Sequence, residues 1–205
     1  MPEPRDIIEP ALNAGESKAE SADARTARLN TAVAITVALL ATFMGICKVK
    51  DDNIVQAMQQ AQADKLDHWA FYQARNLRQE VAEAAATQLE LSRPLPTPAT
   101  AAAHDAAIAR YRALEKDQVR KKDEVRAMAD QDQKNYDAYN YRDDQFDLSD
   151  ALLAIAIAML AVTALTRLWT LYWVSLVPTT LGVLMGVAGL AALPIHPDAL
   201  MKLLS

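Results

Sequence analysis

Cysteine, histidine and glycine are scarce in this chain, and each scarcity closes off a kind of function. Cys47 is the single cysteine, which leaves no internal disulfide and no multi-cysteine metal site. The histidines His68, His104 and His196 are far apart in the sequence. Asp64 and His68 stand one helical turn apart, yet no third ligand follows at a useful spacing, so a solvated helix face is the expected role. The five glycines form no phosphate-cradling loop, and neither G-x-S-x-G nor H-E-x-x-H occurs. Nothing nominates a nucleophile, a base or a cofactor, so a non-enzymatic protein is expected. Excess positive charge is also missing. A net charge of −5 and a pI near 5.2 argue against nucleic acid as a partner, which calls for a basic face.

Charge itself is absent from three stretches, 31–47, 151–166 and 168–195. The remainder is dense in it: residues 48–150 hold fifteen of the 21 Lys and Arg and nineteen of the 26 Asp and Glu. Such segregation marks membrane spans joined by water-facing segments, because a charge at the bilayer centre costs roughly 3 kcal/mol or more. The lipid bilayer is therefore the first expected partner, and the fold class is an all-α membrane protein with three transmembrane helices.

Residues 1–28, with Pro2, Pro4, Pro10, Gly15 and many charges, read as a mobile polar tail. The first span covers 29–49 and reads as a retained anchor rather than a cleaved signal, because its apolar run begins so late. The second covers 149–166. The third covers 169–193 and opens on an aromatic belt of Trp169, Tyr172 and Trp173. A turn is expected at Arg167; a competing division turns at Ser175–Pro178. Residues 194–205 form a short C-terminal tail.

Between the first two spans, 50–148 is rich in helix formers and without glycine, and is broken only by Pro94, Pro96 and Pro98. Two long helices about a proline tip at 93–98 make an antiparallel, coiled-coil-like hairpin, its first arm about 60 Å long. Thr97 reads as an N-cap before Pro98. The returning arm is longer by roughly seven to nine residues. A break, an offset tip, or a segment lying on the membrane around Tyr136–Phe146 could absorb the excess, the last being the leading expectation. The expected seam is narrow. On one arm it uses Val55, Met58, Leu66, Trp69, Leu77 and Val81; on the other, Ile108, Tyr111, Leu114, Val125 and Ala129. So marginal a seam favours assembly with further copies.

Small residues recur at helical spacing within each span. The helix-packing candidates are Ala34, Ala38, Ala41 and Gly45; Ala151, Ala154, Ala158 and Ala161; and Gly182, Gly186 and Gly189. Small side chains let helix backbones approach closely, so a homo-oligomer is expected to form through them.

The segment Asp67–Val81, DHWAFYQARNLRQEV, together with SDALLAIAIAMLAVTALTRLW, resembles a family of small bacterial membrane proteins, domain of unknown function 4337. Its most specific stretch is Trp69, Ala70, Phe71, Tyr72, Gln73 and Ala74. The resemblance covers most of 33–190. It implies a bacterial origin, one anchor before a helical middle and two closing spans, and it implies no activity.

Two functions are compatible with these features: an oligomeric scaffold engaging other envelope proteins, or a channel or transporter-accessory subunit whose pore forms between copies. The inner membrane is the expected location. Lys18, Arg25, Arg28 and Arg167 fall on one side, and Lys48, Lys50, Arg142 and Lys202 on the other. No acid separates Arg25 from the first span, and relatives often enrich arginine at the last turn. The N-terminus is therefore expected in the cytoplasm and the hairpin in the periplasm.

Overall fold

A computed structural model describes residues 4–92 and 97–195, apart from the side chains of 4–22 and of 98–99. The regular structure of the described residues is all helical, in three elements: α1 (Pro4–Leu91), α2 (Pro98–Thr166) and α3 (Trp169–Ala191). Each contains a stretch long and apolar enough to cross a membrane. α1 starts at Pro4, so most of the segment read as a mobile tail is helix; a proline is tolerated in the first turn, where its missing N–H has no intrahelical partner. Most of the proline tip, 93–96, and the tail from 196 on lie outside the described residues.

At the start of α2, the Thr97 carbonyl accepts hydrogen bonds from the backbone N–H groups of Thr100 and Ala101, at 2.9 and 3.0 Å. α2 then runs unbroken through Tyr136–Phe146 and on to Thr166. The leading expectation for that region, a separate membrane-surface segment, gives way to continuous helix. Arg167, at φ 58°, makes the turn into α3, and Pro178 lies inside α3 rather than at a turn.

The chain forms two compact units, 1–53 with 141–205, and 54–140. In the first, Leu29, Val33 and Leu40 of α1 pack with Leu153, Ala156 and Leu160 of α2 as the buried core. α3 buries Ser175, Thr179, Gly182, Met185, Gly186, Ala188 and Gly189. A Cβ built on Gly182 would lie 2.8 Å from Leu153 Cγ, and one on Gly186 would lie 2.7 Å from Phe43 Cε1 and 2.8 Å from Ser149 Oγ. On Gly189 it would meet the Phe146 ring at 2.9 Å. All three glycines are therefore occupied inside the protomer. The two alanine stripes behave differently: Ala34, Ala38, Ala41, Gly45, Ala151, Ala154, Ala158 and Ala161 are all exposed, and nothing approaches Gly45 within 4 Å.

In the second unit, rising numbers on α1 meet falling numbers on α2. Lys65 bonds Gln133, His68 bonds Asp132 at 2.6 Å, Arg75 bonds Gln118 at 3.2 Å, and Arg112 bonds Glu90 at 2.8 Å. Equal pairing about Leu95 and Pro96 would set His68 opposite Asp123. The observed partner, Asp132, is nine residues further on, so the longer second arm is absorbed by an offset register.

The inward positions recur every seven residues. On α1 they are Ile54, Ala61, His68, Arg75, Ala82 and Leu89, interleaved with Met58, Lys65, Tyr72, Gln79 and Ala86, and all are buried or half-buried. Leu66, Leu77 and Val81, expected in the seam, instead face outward with Leu91, from 60% to 75% exposed. Polar pairs occupy the middle of the seam in their place.

Two measurements test this packing. Gly186→Ala should destabilise the protein by about 1–3 kcal/mol through overpacking, whereas Gly45→Ala should be neutral or stabilising by up to about 1 kcal/mol. Thermal unfolding in detergent reads both, and equal effects would contradict the assigned contacts. In a Cys47→Ala background, Lys65→Cys should crosslink with Gln133→Cys and not with Arg126→Cys, the position that equal pairing would select.

Candidate functional site

The richest polar constellation in the first unit forms where the apolar stretch of α1 gives way to charge. Lys48, Asp51 and Asp52 follow one another at helical spacing, and Lys48 Nζ lies 2.9 Å from Asp51 and 3.4 Å from Asp52. Across from them α2 brings Asp143, Asp147 and Asp150, spaced by four and three residues and so on one face. A small cavity of about 20 Å³, room for one water molecule, is lined by Met44, Cys47, Lys48, Asp51, Phe146, Asp147, Ser149 and Asp150.

Asp51 is buried, at 5% exposure. One of its carboxylate oxygens takes the Lys48 ammonium, and the other, Oδ1, has no donor. Asp143 is within hydrogen-bonding reach of Asp51. Two carboxylates so placed repel, and a proton on one satisfies both. Burial first, then the bond with Asp51, then the charges of Asp147, Asp51 and Asp144 push Asp143 up to about 6. Asp147 is raised as well, by burial and then by Asp51, Asp144 and Asp150, with Lys48 opposing. The arrangement is suited to holding a proton between carboxylates. Among the described residues, no group of three His, Cys, Asp or Glu side chains is arranged to hold a metal.

Beside this cluster, α2 secures the end of α3. The Arg142 guanidinium donates to the Gly189 carbonyl at 3.0 Å, and Gln145 Nε2 donates to the carbonyls of Leu193 and Ile195 at 2.9 and 2.6 Å. The Gly189 carbonyl belongs to the turn that a helix leaves without intrahelical donors, and a cation there also complements the helix dipole, whereas Leu193 and Ile195 lie in the chain just beyond the helix. Ser149 Oγ donates to the Gly182 carbonyl at 2.8 Å.

Cys47 lines the cavity, but the family motif, the Asp64 and His68 pair and the basic run lie elsewhere. In the second unit Trp69 and Tyr72 are half-buried and meet edge to face with centroids 5.3 Å apart. Lys122 stands 5.8 Å over the Tyr72 ring and bonds Asn76 and Gln79. Ala70, Phe71, Gln73 and Ala74 of the same motif are exposed. His68 pairs with Asp132, whereas Asp64 takes a bond from Gln60. Arg120 and Lys121, in the basic run, pair with Asp117, and Arg120 also pairs with Glu124. Sequence reading passed over the carboxylate cluster. Its signal is present in RDDQFDLSD, where the acids at 143, 147 and 150 share a helical face.

Among the described residues, three helices with membrane-competent stretches and a charged helical segment between the first two define the class. The model of the family described as Domain of unknown function (DUF4337) matches residues 29–192, and the chain belongs to that family. No curated protein matches it, and no solved structure does.

The raised Asp143 carboxyl makes stability pH-dependent, with a definite sign. A carboxyl whose value is raised on folding binds more protons folded than unfolded, so its contribution is full below the ordinary 3.8 and is lost as pH rises through about 6. Thermal unfolding in detergent should therefore fall across that interval. Asp143→Asn should flatten the fall and raise the midpoint at neutral pH by about 2–4 °C. An unchanged pH profile in the variant would assign the dependence to other groups.

Proposed function

We propose that this protein is a non-enzymatic, homo-oligomeric scaffold of the bacterial inner membrane. Three spans anchor it, and a long antiparallel, coiled-coil-like hairpin between the first two engages further copies and other envelope proteins. The N-terminus lies in the cytoplasm and the hairpin in the periplasm.

The observation that carries this reading is the outward stripe of Leu66, Leu77, Val81 and Leu91 on α1. These residues fall outside the apolar stretches, so lipid does not account for their exposure. They stand on the side of the helix away from its inward positions. Exposed aliphatic side chains aligned over several turns mark a contact surface, and a hairpin with a polar seam gains stability by covering them. The outward alanines of the first two spans allow close helix approach between copies in the same assembly. Arg25, Arg28 and Arg167 support the orientation.

Native mass spectrometry in detergent should give an oligomer of defined number. Leu77→Glu combined with Val81→Glu should weaken association on the order of tenfold or more, because each carboxylate would be buried in an apolar contact. A wild-type monomer, or a variant of unchanged mass, would overturn the scaffold reading. Protease added to intact spheroplasts should cut within 50–148 and spare a tag at Met1. A second reading is a pore formed between copies, onto which the exposed Asp147 and Asp150 would open; a conductance in planar bilayers that Asp147→Asn combined with Asp150→Asn abolishes would establish it.

A further inference from the structure

At the opposite end of the first unit from its carboxylates, the charge pattern is reversed. Arg25 and Arg28 lie three residues apart, so α1 presents them about one turn apart on one side. α3 opens there with Trp169 and Trp173, four residues apart and also on one side. The four side chains, with Ala24, line a single groove. Among the described residues no carboxylate lines it, and Asp23, adjacent in sequence, stays outside. Arg167 makes the turn two residues before Trp169.

Several cations of the described residues, Lys50, Arg78 and Arg126 among them, lack an acidic partner, so what sets Arg25 and Arg28 apart is the groove they share with two indoles. Among the described residues, Lys48 is bound by Asp51 and Asp52, Arg112 by Glu90 and Glu115, Arg120 by Asp117 and Glu124, and Arg142 by a helix-end carbonyl. Arg25, Arg28 and Arg167 have no such partner among the described residues. All three are exposed, as is Trp173 at 63%, while Trp169 is half-buried. Guanidinium groups match phosphate oxygens bidentately. Indole rings settle at the depth of lipid headgroups, with their apolar bodies toward the acyl region and their N–H toward the polar one. Ala24 supplies the missing bulk that leaves the groove open.

We propose that Arg25, Arg28, Trp169 and Trp173 form a binding site for the phosphodiester headgroup of an anionic phospholipid, with Arg167 adding to its field. The site rests on the membrane reading given above. It takes its lipid from the leaflet at the N-terminal end of the first span. At the other end of the same unit, Asp51, Asp143, Asp147 and Asp150 repel an anionic headgroup, so the preference is confined to one leaflet. Phosphate supplies the ligand for the two arginines, and the two indoles hold the glycerol and upper acyl region against the helix.

The test uses the full chain in nanodiscs of phosphatidylcholine alone or mixed with phosphatidylglycerol, followed by native mass spectrometry of retained lipid. Wild type should retain phosphatidylglycerol over phosphatidylcholine. Arg25→Gln combined with Arg28→Gln should lower that retention roughly tenfold, as expected for losing two phosphate-binding cations. Arg25→Lys with Arg28→Lys should restore part of it, and Arg78→Gln, in the second unit, should leave it unchanged. Equal retention of the two lipids, or no loss in the glutamine variant, overturns the proposal. So does displacement of the retained lipid by inorganic phosphate, which marks a free-anion site. Brominated phosphatidylcholine separates this failure from failure of the membrane reading. In a Trp69→Phe background it should quench Trp169 and Trp173 in both compositions, and absence of quenching in either one means that this end does not sit in a bilayer. Circular dichroism of each variant confirms that the helices are intact.

Discussion

At three successive turns of α3 the surface offered to the rest of the first unit is backbone rather than side chain. Phe43, Phe146, Ser149 and Leu153 fill the space where a Cβ would otherwise stand. Helices without bulky residues at their contacts gain dispersion energy from close approach, which matters most where no hydrophobic drive distinguishes helix from solvent. The same closeness brings the Ser149 hydroxyl to the Gly182 carbonyl. It also sets the partners of the glycines, since the side chains of α1 and α2 must be large where α3 is small. The bundle's geometry follows from that one complementarity.

The second unit follows a different rule. Its inward positions repeat every seven residues, yet many carry polar groups: His68 with Asp132, Lys65 with Gln133, and Lys122 with Asn76 and Gln79. Each pair is specific in length and donor type, so a slip in register would leave half-buried polar groups without partners. Polar seams of this kind define register at some cost in stability. Ile54, Ala61, Ala82, Ala86 and Ala129 supply its apolar part, while Leu66, Leu77 and Val81 are on the outer surface.

Much of the helical architecture is legible in the chain, because it rests on properties that neighbours in sequence share. Runs without charge, clustered prolines and the absence of glycine from 46–181 are local signals, and they point to three helical spans and long charged helices. What escapes is whatever depends on partners distant in sequence. Leu66, Leu77 and Val81 look like seam residues until His68 and Arg75 are seen to take the inward positions. The glycines of the third span announce close packing, but sequence spacing does not say that Phe43 and Phe146 are the groups packed against them. Asp51 is unremarkable in a charged helix, and only its burial against Asp143 gives it consequence. The helical start at Pro4 departs from a composition that reads as mobile, because helix is a cooperative property and extends outward from a strong segment.

Arg142 and Gln145 also bear on biosynthesis. A ribosome completes α2 before α3 emerges, so the donors that receive the carbonyls of Gly189, Leu193 and Ile195 exist before those acceptors are made. The last helix thus arrives where donors already wait for the chain at its end. It closes with its own backbone cap, Ala192 at φ 53° and the Leu193 N–H on the Ala188 carbonyl at 2.9 Å, and the α2 side chains add to that. The order of synthesis and the order of packing are the same, and an exchange of α2 and α3 along the gene would lose that agreement even if every contact could be preserved.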